Sequence, residues 1–362
     1  MHCSPHQVVA VEAARQEFQS QGHELIPVEF FYGSTEYTWT LSDKYRPEHW
    51  LCLFPEQKSV SNSTLFWELR RKIKELRIDV VVINGWYGFY AWWLVLLKRW
   101  IGCKVVVVSD TVSWKAPRKW YKEFPKRMLL RGVDAGFVAG TPQAEYLRSL
   151  GMPDTRLTFG NDVVDNQLYS SLPGRTKPEG RKIVIGTAAR LIPEKNLLAA
   201  IQAFDTARRK YPELVLEWRI AGQGPLEEEL KQSVRELQVP VVFLGFVGYT
   251  DMPGFYGQLD LYWQPSASES WGLVVNEAMA AGLPTLVSDR CGCAHDLVTV
   301  STGWIHQVSH SGMVDGLEKA LMERDSWPER GKAARDMIKR WDVSRFSEGL
   351  VQACQIAVSE NR

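Results

Sequence analysis

Two kinds of apolar pattern alternate along this chain. Short unbroken runs, clearest at 79–83 (DVVVI) and 104–108 (KVVVV), lack the polar alternate of a half-exposed strand and fit strands buried on both faces of a parallel sheet. Between them lie stretches with apolar residues three or four apart, the period of helices that lay one face on that sheet. The pattern predicts strands over 24–31, 50–54, 78–83, 104–108 and 135–138, with helices over 8–21, 64–76, 87–100, 118–131 and 142–150. A second series predicts strands over 183–187, 214–220, 241–244, 261–264 and 285–287, each followed by a helix, and a last helix over 344–358. Alternation of this kind predicts an α/β fold with two Rossmann-like, doubly wound domains.

Between the two series the stretch SSLPGRTKPEG at 170–180 is polar, rich in Pro and Gly, and without period. The expected division is therefore a first domain over 1–170, a linker over 171–181, a second domain over 182–341 and a terminal helix within 342–362. The opening MHCSPH reads as a loop that runs straight into a helix, so the hydrophobic strand expected first in such a domain is missing. That predicts an open slot in the sheet and a natural start further upstream.

Length and composition agree with two soluble domains: 362 residues, 45% hydrophobic and 23% charged. A net charge of +1 exerts no global pull on nucleic acid, and no nucleic-acid motif is visible. Six scattered cysteines (Cys3, Cys52, Cys103, Cys291, Cys293 and Cys354) without a secretory pattern imply free thiols in a reducing cytosol. Cys291, Cys293 and His295 lack a second ligand pair at zinc spacing, so a Gly-containing turn is expected there and no metal. No run approaches the roughly 20 apolar residues that span a bilayer.

The densest candidate chemistry lies in PSASESWGLVVNEAMAAGLPTLVSD, 265–289, which reads as a loop after a strand, a helix, and the next strand. Glu269 precedes the helix and Glu277 lies on it, with seven residues between, so the two carboxylates cannot pair along one face. Around Trp271, Gly272 and Leu273 the free N–H groups and the positive helix end suit phosphate, while each carboxylate suits sugar hydroxyls. A nucleoside-diphosphate sugar has that layout; the spacing alone leaves solvated helix carboxylates as the alternative. Arg190 and Lys195 follow the strand 183–187, where open α/β sheets place ligands, and offer a bidentate fork and a point charge for a diphosphate. Surface cations at a helix start are the competing account. Gly222 and Gly224 form a turn whose following acids Glu227, Glu228 and Glu229 would repel phosphate, so the turn is expected to shape a nucleotide pocket. The loop 245–249, with Val247, is placed to read a base edge. Asp110, after the strand 104–108, and His6, in the opening loop, are acceptor-side candidates, a disordered terminus being the alternative for His6.

The stretch with Glu269 and Glu277 resembles the E-x7-E signature of the family-4 retaining glycosyltransferases of GT-B fold. Other family elements lie in order around it: GTAARLIPEKNLLAAIQAF from Gly186, IAGQGPLEEEL from Ile220, VVFLGFV followed by LYWQPS, and SDRCGCAHDLV. The resemblance implies two domains facing across a cleft, with the terminal helix crossing back to the first. It assigns Arg190 and Lys195 to the leaving diphosphate, Glu277 to the ribose, Glu269 to the transferred sugar, and the backbone at 271–273 to sugar and phosphate. Most members carry Phe where this chain has Trp271, and a larger aromatic there is expected to narrow the sugar pocket. The implied reaction is retaining transfer from a nucleotide sugar to an acceptor hydroxyl on a glycan or lipid-linked glycan. No metal is expected to be required, since no Asp-x-Asp element stands at a strand end. A sugar-nucleotide epimerase or hydrolase of the same fold is the alternative.

One further segment, 114–131, interleaves Lys115, Arg118, Lys119, Lys122, Lys126, Arg127 and Arg131 with Trp114, Trp120, Tyr121 and Phe124, opposed only by Glu123. Such a segment suits an anionic membrane surface, worth about 1 kcal/mol per cation close to it, and Trp86, Tyr87, Trp92, Trp93 and Trp100 would extend the patch. The competing account is a solvated helix whose aromatics pack on the sheet, with Pro125 interrupting any continuous face.

Overall fold

The computed structural model describes residues 4–31, 47–57, 59–86, 88–172 and 182–359. The chain divides into two compact units, one of residues 1–165 with 343–362 and one of residues 166–342. The expected linker 171–181 falls almost wholly outside the described residues, as does Tyr87.

In the first unit the chain runs α1 (Pro5–Ser20), β1 (Val28–Glu29), β2 (Leu51–Cys52), α2 (Asn62–Glu75), β3 (Val80–Asn84), α3 (Phe89–Ile101) and β4 (Lys104–Ser109). It continues through α4 (Trp120–Leu130), β5 (Ala135–Val138), α5 (Thr141–Ser149) and β6 (Leu157–Phe159). Strands β3-β4-β5-β6 form a parallel sheet in that order, and β1 pairs with β2 in a separate parallel pair. Among the described residues β3 therefore pairs on one side only. The expected strand over 24–31 contracts to Val28–Glu29, since Pro27 has no N–H to give a ladder. Strand β6, Leu-Thr-Phe after the polar turn Asp154–Arg156, went unread because it offers no unbroken apolar run.

The second unit contains β7 (Ile183–Ala188), α6 (Leu197–Lys210), β8 (Leu216–Ala221), α7 (Glu227–Leu237), β9 (Val241–Gly245) and α8 (Met252–Gly257). Then follow β10 (Leu261–Gln264), α9 (Leu273–Ala280), β11 (Thr285–Ser288), α10 (Ala294–Leu297), β12 (Gly303–His306), α11 (His310–Met322) and α12 (Trp327–Ile338). All six strands are parallel, in the order β12-β11-β10-β7-β8-β9. The chain starts in the middle, winds out through β8 and β9, then restarts on the other side with β10. Strand order thus reverses between β7 and β10, the topological switch point where loops diverge and leave a crevice at the strands' carboxyl ends.

Helix α13 (Val343–Ser359) belongs to the first unit, packing on α1 and on the sheet. Phe346 meets Phe137 edge-on at 5.2 Å, and Gly349 lies so close to β6 that a Cβ there would stand 2.3 Å from the Phe159 carbonyl oxygen.

Both units bury one carboxylate at the same structural point. Asp134 accepts from Val105 N–H at 2.8 Å and pairs with Lys98 at 2.7 Å; Asp260 accepts from Val184 N–H at 2.9 Å. Each stands just before a strand and bonds the second residue of the neighbouring one, which clamps the amino-terminal edge of that pairing.

The core of the second unit centres on Trp218 and Trp263, 4.8 Å apart, with Phe204 against Trp218. Buried polar groups there are paired: Trp218 donates its indole N–H to Thr187 Oγ1 at 3.0 Å, and Thr187 donates to the Trp263 carbonyl at 2.6 Å. His306, 3% exposed, meets Trp263 Nε1–H at 3.2 Å with Nε2 and the Gln307 carbonyl at 2.8 Å with Nδ1. A lone pair on Nε2 is what that arrangement uses, so the ring is held neutral, and burial lowers its pKa below the ordinary 6.5. The unfolded chain then binds a proton that the fold resists. Stability fully present above that value should decline as pH falls below it. Urea unfolding between about pH 7.5 and about pH 5.5 should show this slope, and His306→Gln should flatten it.

Candidate active site

The two loops at the switch point converge. After β7 the chain passes Arg190 and a 3-10 turn over Pro193–Lys195, then Asn196 in the left-handed region opens α6. After β10 comes the loop 265–272. The Glu194 carbonyl accepts from Ala267 N–H at 2.9 Å and Ser268 N–H at 3.3 Å, which ties one loop to the other. Lys195 Nζ then forms an ion pair with Glu269 Oε2, both side chains partly exposed. Two residues 74 apart in sequence, read separately for phosphate and for sugar, are therefore brought into contact.

Backbone bonds hold Glu269 from the far side. Its N–H donates to the Arg290 carbonyl at 2.9 Å and its carbonyl accepts from Gly292 N–H at 3.2 Å, a single parallel bridge to the loop after β11. Gly272 (φ +105) then turns the chain into α9; a Cβ there would meet Cys291 Sγ at 2.7 Å. The Cys291-Gly-Cys293 turn packs beneath this corner, with both thiols buried and 3.5 Å apart. Burial first, then Cys291, pushes the Cys293 thiol well above its usual range, and no group of three metal-ligating side chains occurs among the described residues.

Trp271 departs from its expected place at a sugar pocket, and Glu277 is buried. Glu277 does not stand in an open, wet setting: it is 4% exposed, and Tyr256 donates its hydroxyl to Glu277 Oε2 at 2.6 Å. Helix α9 lies over a tyrosine layer, Tyr169, Tyr256 and Tyr262, so its second turn faces protein. Burial, with Glu277 the next cause, drives the Tyr256 pKa well above its ordinary value, so the hydroxyl keeps its proton for that bond. Burial, followed after an opposing backbone bond by Glu277, Cys291 and Glu269, does the same for Tyr262, so both carboxylates lie within electrostatic reach of one phenol. Trp271 does not line a pocket. It is 2% exposed, stacks on Trp341 at 5.6 Å and donates to Asn276 Oδ1 at 3.0 Å, because the turn at Gly272 sends its ring inward. Leu273, half-buried, is the first residue of α9.

Gly222 and Gly224 serve the β7 loop directly. A Cβ at Gly222 (φ +142) would stand 1.8 Å from the Ala189 carbonyl oxygen, and one at Gly224 would stand 2.4 Å from that of Leu191. Gly222 N–H also donates to the Gly245 carbonyl at 2.7 Å, joining the β8 loop to the β9 loop that carries half-buried Val247. Arg190 is exposed at the head of this assembly. Asp110 and His6 belong to the first unit: Asp110 is exposed at the carboxyl end of β4, and His6 lies in the first turn of α1, not in a loop, because Ser4 and Gln7 form a capping box ahead of it.

Sequence reading missed Tyr256, Tyr262 and Trp341. Tyr262 stands within LYWQPS without being singled out there, Tyr256 and Trp341 stand in no motif, and the packing of α8, β10 and the 341 turn brings all three to the site.

The family description "Glycosyl transferases group 1" matches residues 172–340, and "Glycosyl transferase 4-like domain" matches residues 6–161. The chain belongs to these glycosyltransferases. It is 32% identical over 255 residues to the sulfoquinovosyl transferase SQD2 of Arabidopsis thaliana, covering 66% of this chain and 47% of that one. It thus spans about half the length of that relative. Against the GDP-mannose-dependent alpha-(1-6)-phosphatidylinositol monomannoside mannosyltransferase of Mycobacterium tuberculosis it is 26% identical over 319 residues, covering 80% of this chain and 79% of the other. The Anabaena protein HepE, solved with UDP and glucose, superposes with a TM-score of 0.73 at 16% identity, covering 96% and 95% of the two chains. The fold of this glycosyltransferase is GT-B.

Two substitutions test the geometry of the site. Tyr256→Phe keeps the ring but removes the donor from a buried carboxylate, and should cost about 1–3 kcal/mol in denaturant unfolding. Gly222→Ala forces a methyl into the Ala189 carbonyl at a φ that L residues avoid, and should cost about 2–4 kcal/mol by the same measurement.

Proposed function

We propose that this glycosyltransferase moves a sugar from a nucleoside-diphosphate sugar to an acceptor hydroxyl with retention of anomeric configuration, the acceptor being a lipid-linked glycan or polysaccharide precursor. The observation that carries the reading is the Lys195–Glu269 ion pair at the switch point of the second sheet, beside the amino end of α9. A cation, a carboxylate and free N–H groups converge there, which is the set a charged leaving group and a hydroxylated ring require. The relatives agree in kind: one is named for GDP-mannose and a phosphatidylinositol monomannoside, and one was solved with UDP and glucose.

In this reading Arg190 and Lys195 hold the diphosphate. The bond from the anomeric carbon to the phosphate oxygen breaks with its electron pair going to the diphosphate, whose growing charge the two cations and the α9 end stabilise. The acceptor oxygen bonds the same carbon from the same face, and its proton passes to the departing phosphate oxygen. Glu269 accepts from hydroxyls of the transferred sugar. Glu277, oriented by Tyr256, accepts from the ribose, and the glycine turn at 222–224 with the loop around Val247 borders the nucleoside. Asp110 is the acceptor-side carboxylate and His6 the second acceptor-side candidate. Charge neutralisation by side chains leaves no step that calls for a metal.

A thermal-shift panel of UDP, GDP and ADP sugars should pick out one base, because a ligand bound only by the fold raises its stability. With that donor, Lys195→Ala should lower transfer by about a hundredfold or more. Glu269→Gln should keep nucleotide affinity and lose transfer; equal loss of both would mean the two carboxylates are misassigned. Incubation without acceptor separates the enzymes of this fold: rapid epimer formation would replace the transferase reading with an epimerase.

A further inference from the structure

Helix α4 carries its apolar residues on the wrong side for a core. With 100° per residue, Trp120, Tyr121, Phe124 and Met128 fall within an arc of about 100°. That arc faces solvent: the four are 80%, 51%, 59% and 47% exposed. The opposite side of the same helix supplies Leu129 and Leu130 to the core, at 2% and 3%. Trp120, Tyr121 and Phe124 therefore do not pack on the sheet as the solvated-helix account expects, while Trp114 is half-buried.

The charges around the arc are sorted as well. Arg118 and Lys126 turn inward, each reaching the Tyr146 hydroxyl at 2.9 Å and pairing with Glu123 at 3.6 and 2.9 Å. Glu123, the only carboxylate of the segment, is thereby neutralised at the helix base. Arg127 and Arg131 stay exposed beside the arc, and Lys119 and Lys122 are exposed at the start of the helix. Of the earlier aromatics, Trp86 is buried and Trp92 and Trp93 are half-buried, whereas Phe89, Leu96 and Trp100 of α3 are 66%, 69% and 52% exposed. Trp67 of α2, 55% exposed, abuts Trp100. No helix among the described residues is long and apolar enough to cross a membrane.

We propose that the outward face of α4, with the exposed apolar residues of α3, docks on an anionic lipid bilayer, the aromatics entering the interface and the exposed cations meeting the headgroups. An uncovered aromatic ridge bordered by cations, with its one carboxylate folded away, matches that surface in polarity and in charge. The inference stands on the first unit alone and does not depend on which sugar is transferred.

Flotation tests it directly. The full chain should rise with phosphatidylcholine vesicles that contain phosphatidylglycerol at low salt, and should stay down with phosphatidylcholine alone. Trp120→Glu with Phe124→Glu should lower the vesicle-bound fraction by about tenfold or more without moving the melting temperature, since both side chains are exposed. No flotation of the wild type, equal flotation on neutral vesicles, or an unaffected double variant would overturn the proposal. So would a wild-type dimer that the double variant splits in the absence of any vesicle binding, because the face would then be a contact between copies.

Discussion

The reversal of strand order between β7 and β10 is the constraint on which the site depends. Because neighbouring strands there leave toward opposite sides, their loops separate, and something must hold the two rims in register. The Glu194 carbonyl does this with two N–H groups of the β10 loop, and the Lys195–Glu269 ion pair closes the contact. Any anion that binds here competes with Glu269 for Lys195, so ligand binding and loop arrangement are coupled through one ammonium group.

The residues behind this rim act as its supports. Glycines at 222 and 224 let the β7 loop lie against the β8 loop, where any side chain would collide with a carbonyl. Gly272 makes room for the Cys291 thiol and swings Trp271 onto Trp341, so the aromatic at that position stiffens the start of α9. Tyr256 spends its hydroxyl on Glu277 deep under the same helix. The two carboxylates therefore differ in setting: Glu269 is partly exposed at the rim, and Glu277 is held below it by a phenol that burial keeps protonated.

The first unit shows the same economy at its sheet edge and the opposite behaviour on its surface. Asp134 is buried with Lys98 and a backbone N–H, a fully engaged charge. Helix α4, by contrast, exposes Trp120, Tyr121 and Phe124 and turns its one acid inward. A large apolar arc left to water is costly unless something covers it.

Much of this was legible in the order of residues. Unbroken valine runs such as 104–108 could only be strands covered on both faces, so the α/β class followed from pattern alone. Arg190, Lys195 and Glu269 follow strand ends that the apolar runs locate, whereas Glu277, inside α9, was nameable through the resemblance to the E-x7-E signature. Strands β6 and β12 were invisible because LTF and GWIH are not unbroken apolar runs; their neighbours in the sheet make them strands. Exposure was likewise beyond the sequence. Trp271 and Trp120 are the same residue type in polar surroundings, yet one is buried and the other faces water, since a side chain's direction depends on which element packs across from it. Chemistry at each position was written in the chain; which groups meet, Lys195 with Glu269 and Tyr256 with Glu277, was decided by strand order and helix packing, because those contacts join residues far apart along it.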